Sequence, residues 1–154
     1  VVNSSLWDNP STIAEISNLY GAQSIVASLD IIKSESRYLA YNWLSRSLRQ
    51  SLLTEILLHS PELFGEVKIQ SVLRDGSVLG PDKSLLQHVL PYISKSLPIS
   101  YAGGLTSWKH YVDCLSMSEI SCVSCTNVHH FSLDSITALK KFCVSHDLDV
   151  RLPQ

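Results

Sequence analysis

Apolar segments alternate with amphipathic segments along the whole chain, at a spacing of roughly 30 to 40 residues. This alternation predicts successive βα units, which build a parallel sheet covered by helices. The predicted strands are Val1–Asn3, Ser24–Asp30, Glu66–Leu73, Pro98–Tyr101 and Ile120–Cys125. The predicted helices are Pro10–Tyr20, Leu48–His59, Lys83–Ser94, Ser107–Leu115 and Leu133–His146. We therefore expect an α/β fold that forms a single domain over residues 1–154.

The composition and the distribution of apolar residues argue against two classes of partner. Lysine and arginine number 12 against 14 acidic residues, for a formal net charge of -2. The chain has no basic run of the kind that binds nucleic acid. It also has no apolar stretch near the roughly 20 residues that span a bilayer. We expect neither nucleic acid nor a membrane as a partner.

A glycine pair directly follows one predicted strand, within the sequence LPISYAGGLTS at Leu97–Ser107. Because glycine lacks a Cβ atom, Gly103 and Gly104 allow a tight turn and a close approach of an anion to the backbone amides. The helix that follows adds a partial positive charge at its amino terminus. The pattern predicts a phosphate site, and the alternative is a simple tight turn.

Polar residues also follow the other predicted strands, at their carboxyl-terminal ends. These residues are Asn3 and Ser4, Asp30, Asp75, and Thr126 and Asn127. Barrels and open α/β sheets place their chemistry at this end of the strands. A carboxylate there can have its pKa raised by desolvation, which suits it to proton transfer. The alternatives are that the aspartates stabilise turns and that Asn3 and Ser4 cap a helix.

At these positions the chain resembles the cyclase subunit family of imidazole glycerol phosphate synthase, a (β/α)8 TIM barrel family of histidine biosynthesis. The resemblance rests on VNSSLWDNP at Val2–Pro10, YGAQSIVASLD at Tyr20–Asp30, GEVKIQSVLRDGSVLGPD at Gly65–Asp82, LPISYAGG at Leu97–Gly104, TNVHHF and the closing DVRLP. It implies that the chain is the carboxyl-terminal half of the barrel, from the end of strand 4 to helix 8. About 100 further residues would precede Val1 in a complete barrel.

The resemblance implies a lyase or cyclase that uses ammonia from a glutaminase subunit to close the imidazole ring of a bisphosphate precursor. Asp30 matches the family's catalytic carboxylate on strand 5, whereas the partner carboxylate on strand 1 is absent from this chain. The implied substrate and phosphate contacts are Asn3, Ser4, Asp75, Gly103, Gly104, Thr126 and Asn127. The resemblance implies no cofactor.

Two charged residues of one predicted strand bear on the route that ammonia takes in this family. Glu66 matches a charged gate at the amino-terminal face, and the alternative is an ordinary solvated charge. Strand alternation places Lys68 on the same face, inside the barrel. Lys68 then either pairs with Glu66 or marks an altered ammonia channel, unless the register shifts by one residue and turns Lys68 outward.

Several departures from the family pattern leave other functions open. The aromatic-rich segment Ile31–Leu48 lacks the family's Gly-Lys-Lys loop, and Leu73 replaces a polar residue that is usual in the family. One alternative is a paralogue that works with a glutaminase in the amidation of surface sugars. Another is a noncatalytic half barrel that binds a phosphorylated ligand or a glutaminase.

The cysteines and histidines predict no metal site. Cys122 and Cys125 form a CxxC pattern, but in a strand residues three apart point to opposite faces. His129 and His130 have no second cluster of ligands near them in the sequence. The cysteines offer no plausible disulfide pairing, which favours a reducing, cytoplasmic setting.

Overall fold

The computed structural model describes residues 1–49, 61–93, 95–125 and 136–152. Its strands in these ranges are β1 Val26–Ser34, β2 Arg37–Asn42, β3 Ser47–Arg49, β4 Glu66–Ser71, β5 Ile99–Ala102 and β6 Cys122–Ser124. Its α-helices are α1 Ser5–Asp8, α2 Pro10–Tyr20, α3 Lys83–Val89, α4 Trp108–Leu115 and α5 Ile136–Val144. Short 3-10 turns lie at Ala22–Ser24, Pro61–Leu63 and Leu90–Tyr92. None of the helices within these ranges has the length and apolar character of a bilayer-spanning segment.

The strands form one sheet in the order β3-β2-β1-β4-β5-β6. The pairs β1–β4, β4–β5 and β5–β6 are parallel, and helices α3 and α4 lie in the connections that follow β4 and β5. On the other side of β1, Val2 forms an isolated parallel bridge to Ala27. This is the α/β architecture of a partial (β/α)8 barrel, which confirms the predicted fold class.

An antiparallel hairpin, β2–β3, extends the sheet beyond the parallel strands. Strand β1 continues past Asp30, and its last residues pair with β2 from Ile31↔Ala40 to Ser34↔Arg37. The expectation of a helix from Leu48 is wrong at its start, because Leu48 pairs with Tyr41 in this hairpin. The remainder of that predicted helix, from residue 50 to His59, lies outside the described residues.

Local sequence signals explain where the helices begin and end. Helix α2 coincides with its prediction, with Pro10 in the first turn and Gly21 at the C-cap with a φ of 83°. The Asp82 side chain accepts a hydrogen bond from the Leu85 amide at 3.0 Å and caps α3. Helix α3 ends before its predicted end at Ser94, because Pro91 has no N–H to continue the helical ladder.

Alternation along the parallel strands separates an apolar face from a polar one. Val67 and Ile69 of β4 are fully buried and belong to the same core cluster as Leu86 of α3. The residues that alternate with them, Lys68 and Gln70, are only half-buried and lie on the opposite face. In a closed barrel this second face is the interior.

A buried asparagine fixes the hairpin to the rest of the fold. Asn42 is fully buried, and its Nδ2 donates to the Asp8 carboxylate at 3.1 and 3.3 Å. Its Oδ1 accepts from the backbone amides of Leu44 and Ser45 at 2.9 and 3.2 Å. The amide therefore orders the loop after β2 and joins it to α1.

We expect Asn42→Ala to lower the free energy of unfolding by about 2–3 kcal/mol, because it removes the hydrogen bonds of a buried side chain to the Asp8 carboxylate and to the Leu44 and Ser45 amides. Urea denaturation measures the change. The matched control is Asn18→Ala, at an exposed position of α2, where alanine is the better helix former. Equal stability of the two variants would contradict the anchoring role of Asn42.

Candidate functional site

Two adjoining cavities lie on the polar face of the sheet. The larger measures about 580 Å³ and is bordered by Asn3, Asp30 and Trp43 among others. The smaller measures about 270 Å³ and is bordered by Gly103 and Gly104 among others. Three further residues border both cavities: Lys68, Gln70 and Asp75. The two cavities therefore adjoin along one face of the sheet.

Asp30 lies in the middle of β1 rather than at the end of its strand, because the hairpin pairs with the extension of β1. Its side chain faces the larger cavity, and the residue is only 9% exposed. Its Oδ2 accepts a hydrogen bond from the indole Nε1 of Trp43. The sheet and the hairpin together place a buried, hydrogen-bonded carboxylate at the wall of a cavity.

The surroundings of Asp30 act on its pKa in opposite directions. Burial has the largest effect and raises the pKa above its ordinary value. The Trp43 hydrogen bond, the charge of Lys68 and a hydrogen bond from Asn3 lower it, whereas the charge of Asp75 raises it. A carboxyl group whose pKa is raised can exchange protons nearer neutral pH than an exposed aspartate can.

Asn3 borders the larger cavity, and neither Asn3 nor Ser4 caps α1 through its side chain. The Asn3 Nδ2 donates to the Ser28 carbonyl oxygen at 2.9 Å, across to β1. The Ser4 hydroxyl donates to the Asn3 Oδ1 at 3.3 Å, and no side chain at this N-cap accepts from the helix amides. The alternative in which these two side chains cap the helix is therefore wrong.

The glycine pair is required by close backbone packing. Gly103 and Gly104 have φ values of 119° and 78°, a region that other residues rarely adopt. A Cβ atom on Gly104 would lie 2.2 Å from the Gly80 carbonyl oxygen, and one on Gly103 would lie 2.7 Å from that of Ser71. The pair thus brings the loop after β5 against the end of β4 and the loop that follows it.

Asp75 presents an exposed carboxylate to both cavities. Its turn is held by backbone hydrogen bonds, including the Asp75 amide to the Ser71 carbonyl oxygen at 3.0 Å. Within the part of the chain that the structure describes, the carboxylate itself accepts no hydrogen bond. The side chain therefore does not stabilise the turn, whereas Gly76 has the positive φ of 70° that the turn alternative for this Asp-Gly pair expects.

Glu66 and Lys68 share the polar face of β4, so the one-residue shift that would turn Lys68 outward is wrong. Glu66 lies at the amino-terminal end of β4, and its Oε1 accepts from the Ser100 hydroxyl at 2.7 Å. Lys68 has no ion pair within 4.0 Å among the residues described, so it does not pair with Glu66. Its charge instead faces the cavities and acts on Asp30.

Sequence reasoning missed the place of Trp43, Gln70 and Ser28 in this site. Ser28 and Gln70 could have been found by counting two residues along the strand from Asp30 and from Lys68. Trp43 had no such signal, because its contact with Asp30 depends on the hairpin. Two of the predicted contacts, Thr126 and Asn127, lie outside the described residues.

The four cysteines are free thiols. Cys122 begins β6 and is exposed, and Cys125 directly follows the strand and donates to the Leu105 carbonyl oxygen at 3.2 Å. The CxxC pattern thus runs along a strand. Cys114 and Cys143 are buried in the hydrophobic core.

Comparison with known proteins gives a consistent set of relatives. The sequence profile of a family described as "Histidine biosynthesis protein" matches residues 1–132. The imidazole glycerol phosphate synthase subunit HisF of Thermotoga sp. is 24% identical over 152 residues, which cover 98% of this chain and 59% of that protein. The subunits of the same name from Chlorobium phaeovibrioides and Chlorobium luteolum are 29% and 27% identical over the same length. The chain spans about 60% of the length of these curated relatives.

We expect Gly104→Ala to lower the free energy of unfolding by about 3 kcal/mol or more, because the new Cβ meets the Gly80 backbone in a conformation already unfavourable for alanine. The matched control is Gly76→Ala, which has a positive φ of 70° but no atom within 4 Å of the added Cβ. Gly76→Ala should cost about 1–2 kcal/mol. Urea denaturation compares the two, and equal losses would contradict the packing role of Gly104.

Proposed function

The chain belongs to the histidine biosynthesis protein family, and from that membership we propose that it is the carboxyl-terminal half of a cyclase subunit of imidazole glycerol phosphate synthase. In this proposal, ammonia from a glutaminase closes the imidazole ring of an aminoimidazole carboxamide bisphosphate precursor. The observation that carries the proposal is Asp30, a buried carboxylate with a raised pKa at the wall of a polar cavity. The sequence pattern matches this residue to the family's strand 5 carboxylate, which supports the proposal.

Asp30 is the group that exchanges protons with the substrate as the ring closes. Burial raises its pKa and so brings the protonated and ionised forms closer in free energy. The second carboxylate of the reaction comes from the amino-terminal half of the barrel, which is outside this chain. Catalysis therefore requires both halves.

The bisphosphate lies across the two cavities, with one phosphate at each end. Gly103 and Gly104 supply backbone amides for one phosphate, together with Thr126 and Asn127 of the next loop. Asn3 and Ser4 contribute to the other phosphate site. Lys68 borders both cavities and adds a positive charge between the two phosphates, and Asp75 contacts the middle of the substrate.

The glutaminase docks at the opposite, amino-terminal end of the strands. Glu66 lies there on the polar face, about 13 Å along the strand from Gln70 at a rise of about 3.3 Å per residue. Ammonia enters past Glu66 and travels along this face towards Asp30. The Ser100 hydroxyl, which donates to Glu66, holds the gate carboxylate in place.

A second candidate function is a paralogue that amidates a different phosphorylated or sugar substrate with the same glutaminase coupling. One observation favours it: the aromatic hairpin β2–β3 replaces the Gly-Lys-Lys loop, and Trp43 of the loop after β2 enters the larger cavity. A different side chain at the border of the cavity changes the shape of the ligand that the cavity accepts. The phosphate contacts and Asp30 serve either substrate.

We expect Asp30→Asn in the full-length protein to reduce ammonia-dependent consumption of the bisphosphate precursor by about a hundredfold or more, because the amide cannot exchange the proton. Bisphosphate affinity should stay within about tenfold of the parent, a change of about 1.4 kcal/mol. Kinetic assay and calorimetry measure the two quantities.

The control variant is Asp147→Asn, at an exposed position with a φ of 61° that asparagine tolerates. It should retain full turnover. Equal turnover by Asp30→Asn and the parent would remove Asp30 from the catalytic role. A folded parent protein that binds bisphosphate without consuming the precursor would favour the paralogue or a noncatalytic binding function.

A further inference from the structure

The loop after β2 holds an indole ring against the carboxylate of β1. Trp43 donates its Nε1–H to the Asp30 Oδ2. Its ring also meets the Tyr41 ring edge to face, with centroids 4.7 Å apart and an interplanar angle of 87°. The Asn42 side chain, between these two residues, fixes the loop backbone through Leu44 and Ser45. The contact with the Tyr41 ring, the hydrogen bond to Asp30 and the fixed loop backbone therefore orient the indole together.

The anchoring makes this loop a fixed wall of the cavity. Asn42 is fully buried and bonded to Asp8, so that moving the loop that carries Trp43 would break the hydrogen bonds of a buried side chain. Trp43 itself is 53% exposed, although it is a large aromatic residue. Part of its ring therefore borders the larger cavity while its N–H end is engaged by Asp30.

An indole N–H can only donate a hydrogen bond. It therefore favours the ionised form of its carboxylate partner, and it leaves the second oxygen to carry the proton in the neutral form. The charged groups that face Asp30 are Lys68 and Asp75, which act on its ionisation in opposite directions, and the Asn3 side chain also favours the ionised form. The hydrogen bond from Trp43 is directed at one oxygen of the carboxylate, Oδ2, and so bears on which oxygen exchanges the proton.

We propose that Trp43 is the positioning residue of Asp30: its indole N–H occupies Oδ2 and so assigns proton exchange with the substrate to Oδ1. The consequence for catalysis rests on the proposed function, but the pairing itself does not. The same indole ring limits the width of the cavity beside Asp30. The loop after β2 thereby both orients the carboxylate and restricts which ligands reach it.

The first test follows the indole N–H resonances of the full-length protein by NMR as a function of pH. The Trp43 resonance is identified by its disappearance in Trp43→Phe. We expect it to shift with a single midpoint and to lose that titration in Asp30→Asn, while Asp75→Asn retains it. A Trp43 resonance that is insensitive to Asp30→Asn would overturn the pairing.

The second test follows the side-chain carboxyl carbon of Asp30 through a pH titration. Trp43→Phe keeps a ring in place but removes the donor, so the midpoint should rise by roughly one pH unit. Trp43→Tyr supplies a hydroxyl donor and should restore part of the shift. The matched control is Trp108→Phe, on α4, which should leave the midpoint unchanged.

An unchanged midpoint in Trp43→Phe, in a variant whose other resonances show a folded protein, would overturn the positioning role. Neither measurement depends on turnover. If the full-length protein consumes no bisphosphate precursor but the Trp43 resonance follows the ionisation of Asp30, the proposed function fails and the pairing stands. If turnover is present and the Trp43 resonance does not respond to the ionisation of Asp30, the proposed function stands and the inference fails.

Discussion

The parallel pairing of β1 with β4 is the constraint on which the rest of the structure depends. Its register places Ser28 opposite Lys68 and Asp30 opposite Gln70. Because side chains alternate along both strands, these four polar residues share one face, and the residues between them pack into the core. A shift of one residue would bury Lys68 among apolar side chains and turn Leu29 or Ile69 into the cavity. The hydrophobic core thus fixes the register, and the register fixes the site.

The loops at the carboxyl-terminal end of the sheet are positioned by backbone packing. Gly104 approaches the Gly80 carbonyl oxygen so closely that a side chain has no room. The Tyr101 hydroxyl, which is fully buried, accepts from the Asp82 amide at 2.8 Å and ties β5 to the start of α3. Burial also raises the pKa of this tyrosine to about 12, so the hydroxyl stays neutral at physiological pH. The loops are held by groups whose protonation does not change there.

The sequence predicts much of this arrangement, because helix and strand periodicities are local properties. Helix α2 follows from Pro10, Gly21 and the apolar spacing between them, and β4 follows from strict alternation after Gly65. The hairpin could not be predicted in this way. Its strand β2 reads RYLAYN and pairs with an extension of β1, so its formation depends on a contact between segments and on a turn through Glu35 with a φ of 53°.

The same distinction explains why Asp30 was predicted and Trp43 was not. Asp30 is found by its position along an apolar strand, whereas Trp43 reaches Asp30 only after the chain has reversed direction at Ser34 and returned along β2. A buried carboxylate needs a donor of this kind, since desolvation alone would hold it in its neutral form. The indole provides the hydrogen bond without adding a further charge, whereas the charges of Lys68 and Asp75 act on the pKa of Asp30 in opposite directions. The ionisation of Asp30 therefore depends in part on the hairpin, an element that the regular βα repeat does not contain.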